Sequence, residues 1–125
     1  MADRALFIGW GEVVRSREHE ALANFNETLG LYGRAQQDGR IESFDVCLLD
    51  PHGGDLAGFI MVHGTADQLH AFKESDDFRS NMAKGSLIVD NLGVIDAAVG
   101  EGVEREMGFF NGAVEAITGK AVATA

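Results

Sequence analysis

The chain has 125 residues, 46% hydrophobic and 24% charged, values that suit one domain with one core and point away from a disordered chain. Ten Lys and Arg against twenty Asp and Glu leave a net charge of -10, which opposes approach to nucleic-acid phosphates and anionic lipid, so neither is expected as a partner. The longest stretch free of Asp, Glu, Lys and Arg, Leu56 to Ala66, is too short for the roughly 20 residues of a membrane span, and the opening MADRALF lacks an extended apolar region, so no signal peptide is indicated and a cytoplasmic protein is expected.

Ala5 to about Val14 reads as the first strand, with Gly9 and Gly11 around Trp10; glycines inside a strand mark a bulge or a close backbone approach. Ser16 offers an N-cap, and Leu22, Phe25, Leu29 and Tyr32 recur at spacings of three, four and three, which predicts a helix with one apolar stripe ending near Gly39. Gly30 and Gly33 each cost up to about 1 kcal/mol relative to Ala, which makes Gly30 the place for a bend or break. Arg15, Arg17, Arg34 and Arg40 surround this helix, but interleaved acidic residues give them the character of a solvated face.

Phe44–Leu49 and Leu56–Val62, joined by Asp-Pro-His-Gly-Gly-Asp at 50–55, predict a central β-hairpin. Both strands carry apolar side chains at odd and even positions, so both faces of their sheet are expected to be covered. The only cysteine, Cys47, lies mid-strand and reads as a small buried hydrophobe in a reducing compartment rather than a catalytic thiol. Thr65 to Gln68 is a capping-box pattern ahead of the stripe begun by Leu69 and Phe72. Ser75-Asp-Asp re-caps a further stretch carrying Phe78 and Met82, which predicts a kinked or split helix. Leu87–Val99 fits a fourth strand with Gly93 in its middle.

Past Gly100-Glu-Gly102, the residues Val103, Met107, Phe110, Val114 and Ile117 recur at four, three, four and three, predicting a helix over 101–120. Two heptads are too few for a self-standing coiled coil, so this stripe is expected to dock on the domain or on a neighbouring protomer. Residues 121–125 are expected to fray.

The element order is β-α-β-β-α-β, which is the ferredoxin-like α+β plan: an antiparallel sheet with helices on one face, in a single domain (1–125) with its core at 4–99 and an extra C-terminal helix. The other face is then bare. With about eight apolar side chains on it, from a set including Ile8, Trp10, Phe59, Met61, Leu92 and Val94, exposure forgoes on the order of 10 to 20 kcal/mol of burial. Pairing of two such sheets across a two-fold axis is the expected solution, with the tail helix as the competing cover.

This order, the first strand FIGWGEVV, the hairpin LLDPHGGDLAGFIMVHG and the helix start TADQL resemble the dimeric α/β barrel superfamily over about residues 4–99. Its members include small monooxygenases, stress-responsive barrel proteins, muconolactone isomerase, and the proteins known by the YCII and EthD names. The resemblance implies a homodimer whose two sheets form a barrel, with a cleft within it or between each sheet and its helices. It implies no one activity, because this superfold hosts several enzyme types.

His63 shares the parity of Phe59 and Met61 and could act there as a general base, or simply bond a loop at the strand end. Asp45 on the facing strand is the candidate partner; if both point inward they resemble the His and Asp pairing of YCII-like proteins. Trp10 could stack on a planar ligand while Glu12 bonds a polar group, with Phe59 and Met61 completing an apolar wall; the alternative for Trp10 is core or dimer interface. His52 and Asp55 flank Gly53-Gly54 as turn residues. His19 and His70 lack His-x-x-x-His spacing, so no metal is expected; Gly9-Trp-Gly11 lies within a strand and lacks a third glycine, and no Gly-x-Ser-x-Gly elbow occurs, so no cofactor is expected. Three functions are consistent with this pattern: a binder of a small apolar or aromatic molecule, a cofactor-independent monooxygenase or isomerase using His63 and Asp45, and a purely structural association module.

Overall fold

The structure, a computed structural model, describes residues 2–120, so the fraying expected at 121–125 lies outside it. Its elements are β1 (Arg4–Trp10), α1 (Glu18–Gln37), β2 (Ser43–Leu48), β3 (Gly58–Gly64), α2 (Ala66–Glu74), α3 (Asp76–Ser86), β4 (Gly93–Ala98) and α4 (Glu101–Thr118). The strands pair antiparallel in the order β2-β3-β1-β4, giving a ferredoxin-like α+β sheet with α1 to α3 on one face and α4 as an addition.

Register decides which residues meet. Leu6 lies opposite Val62 and Ile8 opposite Ile60, so these even-numbered positions share the helix-covered face. They are buried with Leu31, Tyr32, Leu69, Phe72 and Phe78, and the Tyr32 ring packs against Phe44, Phe72 and Phe78 at centroid distances of 5.8, 5.6 and 6.5 Å. Odd positions of β1 and β3 take the face away from α1 to α3: Phe7 lies opposite Met61, and the Phe7 and Phe59 rings stack at 5.0 Å. The set expected to lie bare is therefore divided. Ile8, Trp10, Leu92 and Val94 belong to the helix side, and only Phe59 and Met61 to the open side, because side chains alternate with a period of two and the expected set mixed both parities.

Several boundaries differ from expectation. β1 stops at Trp10, although pairing continues beyond it: the Gly11 amide donates to the Asp90 carbonyl at 2.7 Å and the Val14 amide to the Ile88 carbonyl at 2.8 Å. Gly11 serves this approach, since a Cβ there would sit 2.8 Å from the Asp55 carbonyl oxygen. β4 likewise begins only at Gly93, after Asn91 adopts φ 57° and breaks the extended run. Ser16 is not the N-cap of α1; at φ 76° it lies outside the extended region a cap needs, and Arg17 takes that place without a side-chain bond. α1 runs unbroken through Gly30 and Gly33 because burial of Thr28, Leu31, Tyr32 and Ala35 outweighs their helix cost.

The capping box forms as expected: the Gln68 amide donates to Thr65 Oγ1 at 3.1 Å, and Gln68 Oε1 accepts from the Thr65 amide at 2.9 Å. The predicted split falls at Ser75, whose ψ of 149° ends α2 and starts α3. α4 is anchored at its start, where Arg105 meets Asp3 at 2.6 Å and Arg4 meets Glu106 at 3.4 Å. Most of its stripe is left uncovered among the described residues: Val103, Met107, Phe110 and Ile117 are exposed, and Val114 is half-buried. Among the described residues no helix is long and apolar enough to cross a membrane.

Candidate functional site

The helix-covered side of the sheet is not filled along its whole length. Where the C-terminal half of α1 buries Leu31, Tyr32 and Ala35, its N-terminal half stands off the sheet over a cavity of about 500 Å³. That volume suits a small organic molecule. Ile8 and Trp10 of β1 and Leu48 of β2 form its floor, Ala21, Leu22 and Phe25 of α1 one wall, and Met82, Gly85, Ile88 and Leu92 the other. The stripe predicted for α1 is thus half core and half cavity lining: Tyr32 is fully buried, while Leu22 is 68% exposed at the mouth.

Trp10 is held by two local features. Its indole meets the Phe25 ring edge-on at 6.2 Å. Across the ladder it faces Gly58, where a Cβ would lie 2.7 Å from the indole Cζ2 and 2.9 Å from the Cys47 carbonyl oxygen. Glycine at 58 is thus what lets the ring lie across β3.

The cavity is apolar apart from one edge. There the Thr28 hydroxyl donates to the Asn24 carbonyl oxygen at 2.8 Å and accepts from Asn81 Nδ2 at 2.9 Å. Asn24 Oδ1 is buried with no hydrogen-bond partner among the described residues. Glu18 is the single ionisable residue on the lining.

The structure distributes the residues singled out from the sequence over three places. Trp10 lines the cavity. Phe59, Met61, His63 and Asp45 lie on the opposite, open face, where His63 Nε2 and Asp45 Oδ2 are 3.1 Å apart on neighbouring strands. The Asp45 side chain is 77% exposed and that of His63 24%, so the pair is a solvated contact at the sheet surface. Glu12 is exposed beyond the end of β1, in a separate open cleft against the 50–55 turn. Cys47 is half-buried on the open face. Among the described residues no group of three or more His, Cys, Asp or Glu is placed to hold a metal ion.

Asn24, Thr28, Asn81 and Met82 were not picked out as lining residues from the sequence. A signal for the first two was present: polar residues at 24 and 28 fall on the same helical face as Ala21 and Phe25, interrupting an apolar stripe one turn apart. Asn81 becomes legible only once α1 and α3 are seen to pack together.

No protein-family model matches the chain, and no curated protein matches it in sequence. In structure it is similar to a dimeric protein of unknown function with a ferredoxin-like fold from Bacteroides fragilis NCTC 9343, at a TM-score of 0.57 and 10% identity, over 77% of this chain and 96% of that one. At that identity the likeness concerns the fold.

Proposed function

We propose that this protein is a homodimeric binder of a small apolar or aromatic molecule, held between the sheet and helices α1 and α3. The observation that carries the reading is the roughly 500 Å³ cavity lined by Trp10, Phe25 and aliphatic side chains. An apolar guest there exchanges water contact for burial against the sheet and two helices, at about 25 cal/mol per Å² of apolar surface removed from water. Trp10 is the only tryptophan in the chain, so its emission reports on the cavity without labelling. Ala21→Phe, which places a ring in the cavity from α1, should abolish the emission change that a saturating bicyclic aromatic produces and leave the circular dichroism spectrum unchanged. Equal binding by the wild type and the filled variant would reject the reading.

Self-association is supported by two apolar surfaces left partly uncovered among the described residues: the sheet face opposite α1 to α3, where Phe7, Phe59 and Met61 are half-buried and Ile95 is exposed, and the α4 stripe with Met107, Phe110 and Ile117 exposed. Phe7, Phe59, Met61 and Ile95 are the large apolar groups on the open face, and covering them contributes on the order of 5 to 10 kcal/mol. The similar fold from Bacteroides fragilis is described as dimeric. In such a dimer the sheets would face one another, as in the dimeric α/β barrel proteins the sequence resembles.

The 3.1 Å contact between His63 and Asp45 favours a second reading, a cofactor-independent monooxygenase or isomerase in which Asp45 orients the imidazole and His63 moves a proton. The pair lies outside the apolar cavity, so this reading needs a substrate on the open face between two sheets. If it holds, His63→Ala abolishes turnover in any assay that detects it.

A further inference from the structure

We infer that the guest of the apolar cavity is a neutral aromatic molecule whose polar group is a hydrogen-bond acceptor, such as a ketone or ether oxygen, received by the side-chain amide of Asn24. This rests on the cavity being a binding site, the reading proposed above, and adds the polarity of the guest. Its basis is which end of each amide is spent. Asn24 Oδ1 is buried, so it is not presented to a guest. Asn24 Nδ2 donates to no group among the described residues, and a Cβ at Gly85, across on α3, would lie 3.8 Å from it. Asn24 and Gly85 both line the cavity, so this nitrogen stands at its wall with two unspent protons. Turning the amide over would bury two unpaired N–H groups in place of one oxygen, a costlier arrangement. Asn81 Nδ2 spends one proton on Thr28 Oγ1 at 2.9 Å and keeps the other, while Asn81 Oδ1 lies 3.3 Å from the same hydroxyl. Thr28 gives its one proton to the Asn24 carbonyl oxygen. The edge therefore offers a guest N–H donors, most of them on Asn24.

A purely apolar guest strips water from these N–H groups and returns nothing. A carbonyl oxygen at the same place pairs with them while its ring packs beside Trp10 and Phe25. A guest whose polar atom is a donor alone would set N–H against N–H beside Asn24. A carboxylate is an acceptor too, but its charge asks for more than the cavity supplies. Glu18 is the single ionisable group on the lining, no Lys, Arg or His reaches it, and the chain as a whole carries -10. An anionic head group would shed its water without meeting a cation. The volume admits a bicyclic ring system with room for one small substituent.

The test uses 2-acetylnaphthalene and 2-isopropenylnaphthalene, which replaces the carbonyl oxygen by a methylene of nearly the same shape. Each is measured by equilibrium dialysis against the wild-type protein and against Asn24→Leu, so that the probes' own difference in hydrophobicity cancels between the two proteins. Asn24→Leu should weaken the ketone roughly three- to tenfold, the effect of one lost hydrogen bond, and should not weaken the alkene. 2-Naphthoate should bind the wild type more weakly than the ketone. Should the variant unfold, the carbonyl stretch of the ketone held by excess wild-type protein serves instead, and it should lie below its position in hexane. A ketone affinity that the substitution lowers no more than the alkene's, a stretch at the hexane position, or 2-naphthoate as the tightest of the three would overturn the inference and leave the cavity a binding site. Failure of all three to bind the wild type would remove the underlying reading along with it.

Discussion

Gly58 and Tyr32 show how single side chains shape this site. Gly58 sits opposite Trp10, and any Cβ there meets both the indole and the Cys47 carbonyl oxygen. Side chains yield more readily than backbone, so Gly58→Ala should cost about 1 to 3 kcal/mol in urea unfolding and shift the Trp10 emission by displacing the ring. Tyr32 is fully buried at the centre of the aromatic cluster, and its hydroxyl has no hydrogen-bond partner among the described residues. Burial pushes its phenol well above the usual tyrosine range, so it is neutral at every working pH. Tyr32→Phe removes an unsatisfied polar atom and keeps the ring, and should leave the Tm equal or higher, with a gain of up to about 1 kcal/mol. A loss of more than that would mean that the hydroxyl has a partner, a bound water for example.

The break between α2 and α3 was legible in sequence because Ser75-Asp-Asp is a capping pattern, and the structure adds the tie that holds α3 in place. Arg40, in the loop before β2, makes a two-pronged pair with Asp77 at 2.8 and 3.0 Å and lies over the Phe72 ring at 5.2 Å. The Arg40 guanidinium, aided by the Ser75 hydroxyl, holds the Asp77 carboxyl well below the usual carboxylate range. Because the folded-state value is depressed, this pair stabilises the fold fully above the unfolded value near 3.8, and the contribution is lost as pH falls through the lower folded value. Asp77 is 45% exposed, so screening limits the effect to about 0.5 to 1 kcal/mol. Asp77→Asn should lower stability by that amount at pH 7, with the gap to wild type closing in urea titrations below about pH 4; a gap constant down to pH 2 would assign the loss to geometry rather than charge.

For the molecule as a whole, the open sheet face and α4 are the surfaces through which the proposed association would run. Ile95 is 59% exposed opposite Phe7, at the β4 edge of that face, and makes no core contact. Ile95→Lys should therefore convert the proposed dimer to a monomer in light scattering while the Tm of the monomer fold changes little. Two chains of charge -10 repel, so the proposed dimer should tighten as salt rises. A wild-type protein that is monomeric at every concentration and salt would refute association through these surfaces.

By itself the sequence determined the element order, the capping box at Thr65, the split at Ser75 and the ferredoxin-like plan, because helix and strand periodicity and cap chemistry are properties of a few consecutive residues. It also placed Trp10 among the residues to examine. Only the tertiary structure decided which partners those residues have. Strand register put Trp10 on the helix side and Phe59, Met61, His63 and Asp45 on the other, and a shift of one residue would have reversed both. The cavity is enclosed by residues of β1, β2, α1 and α3 together, and its polar edge joins Thr28 to Asn81 across 53 residues of chain. No local pattern encodes a contact of that span, since it follows from how whole elements pack rather than from what neighbouring residues prefer.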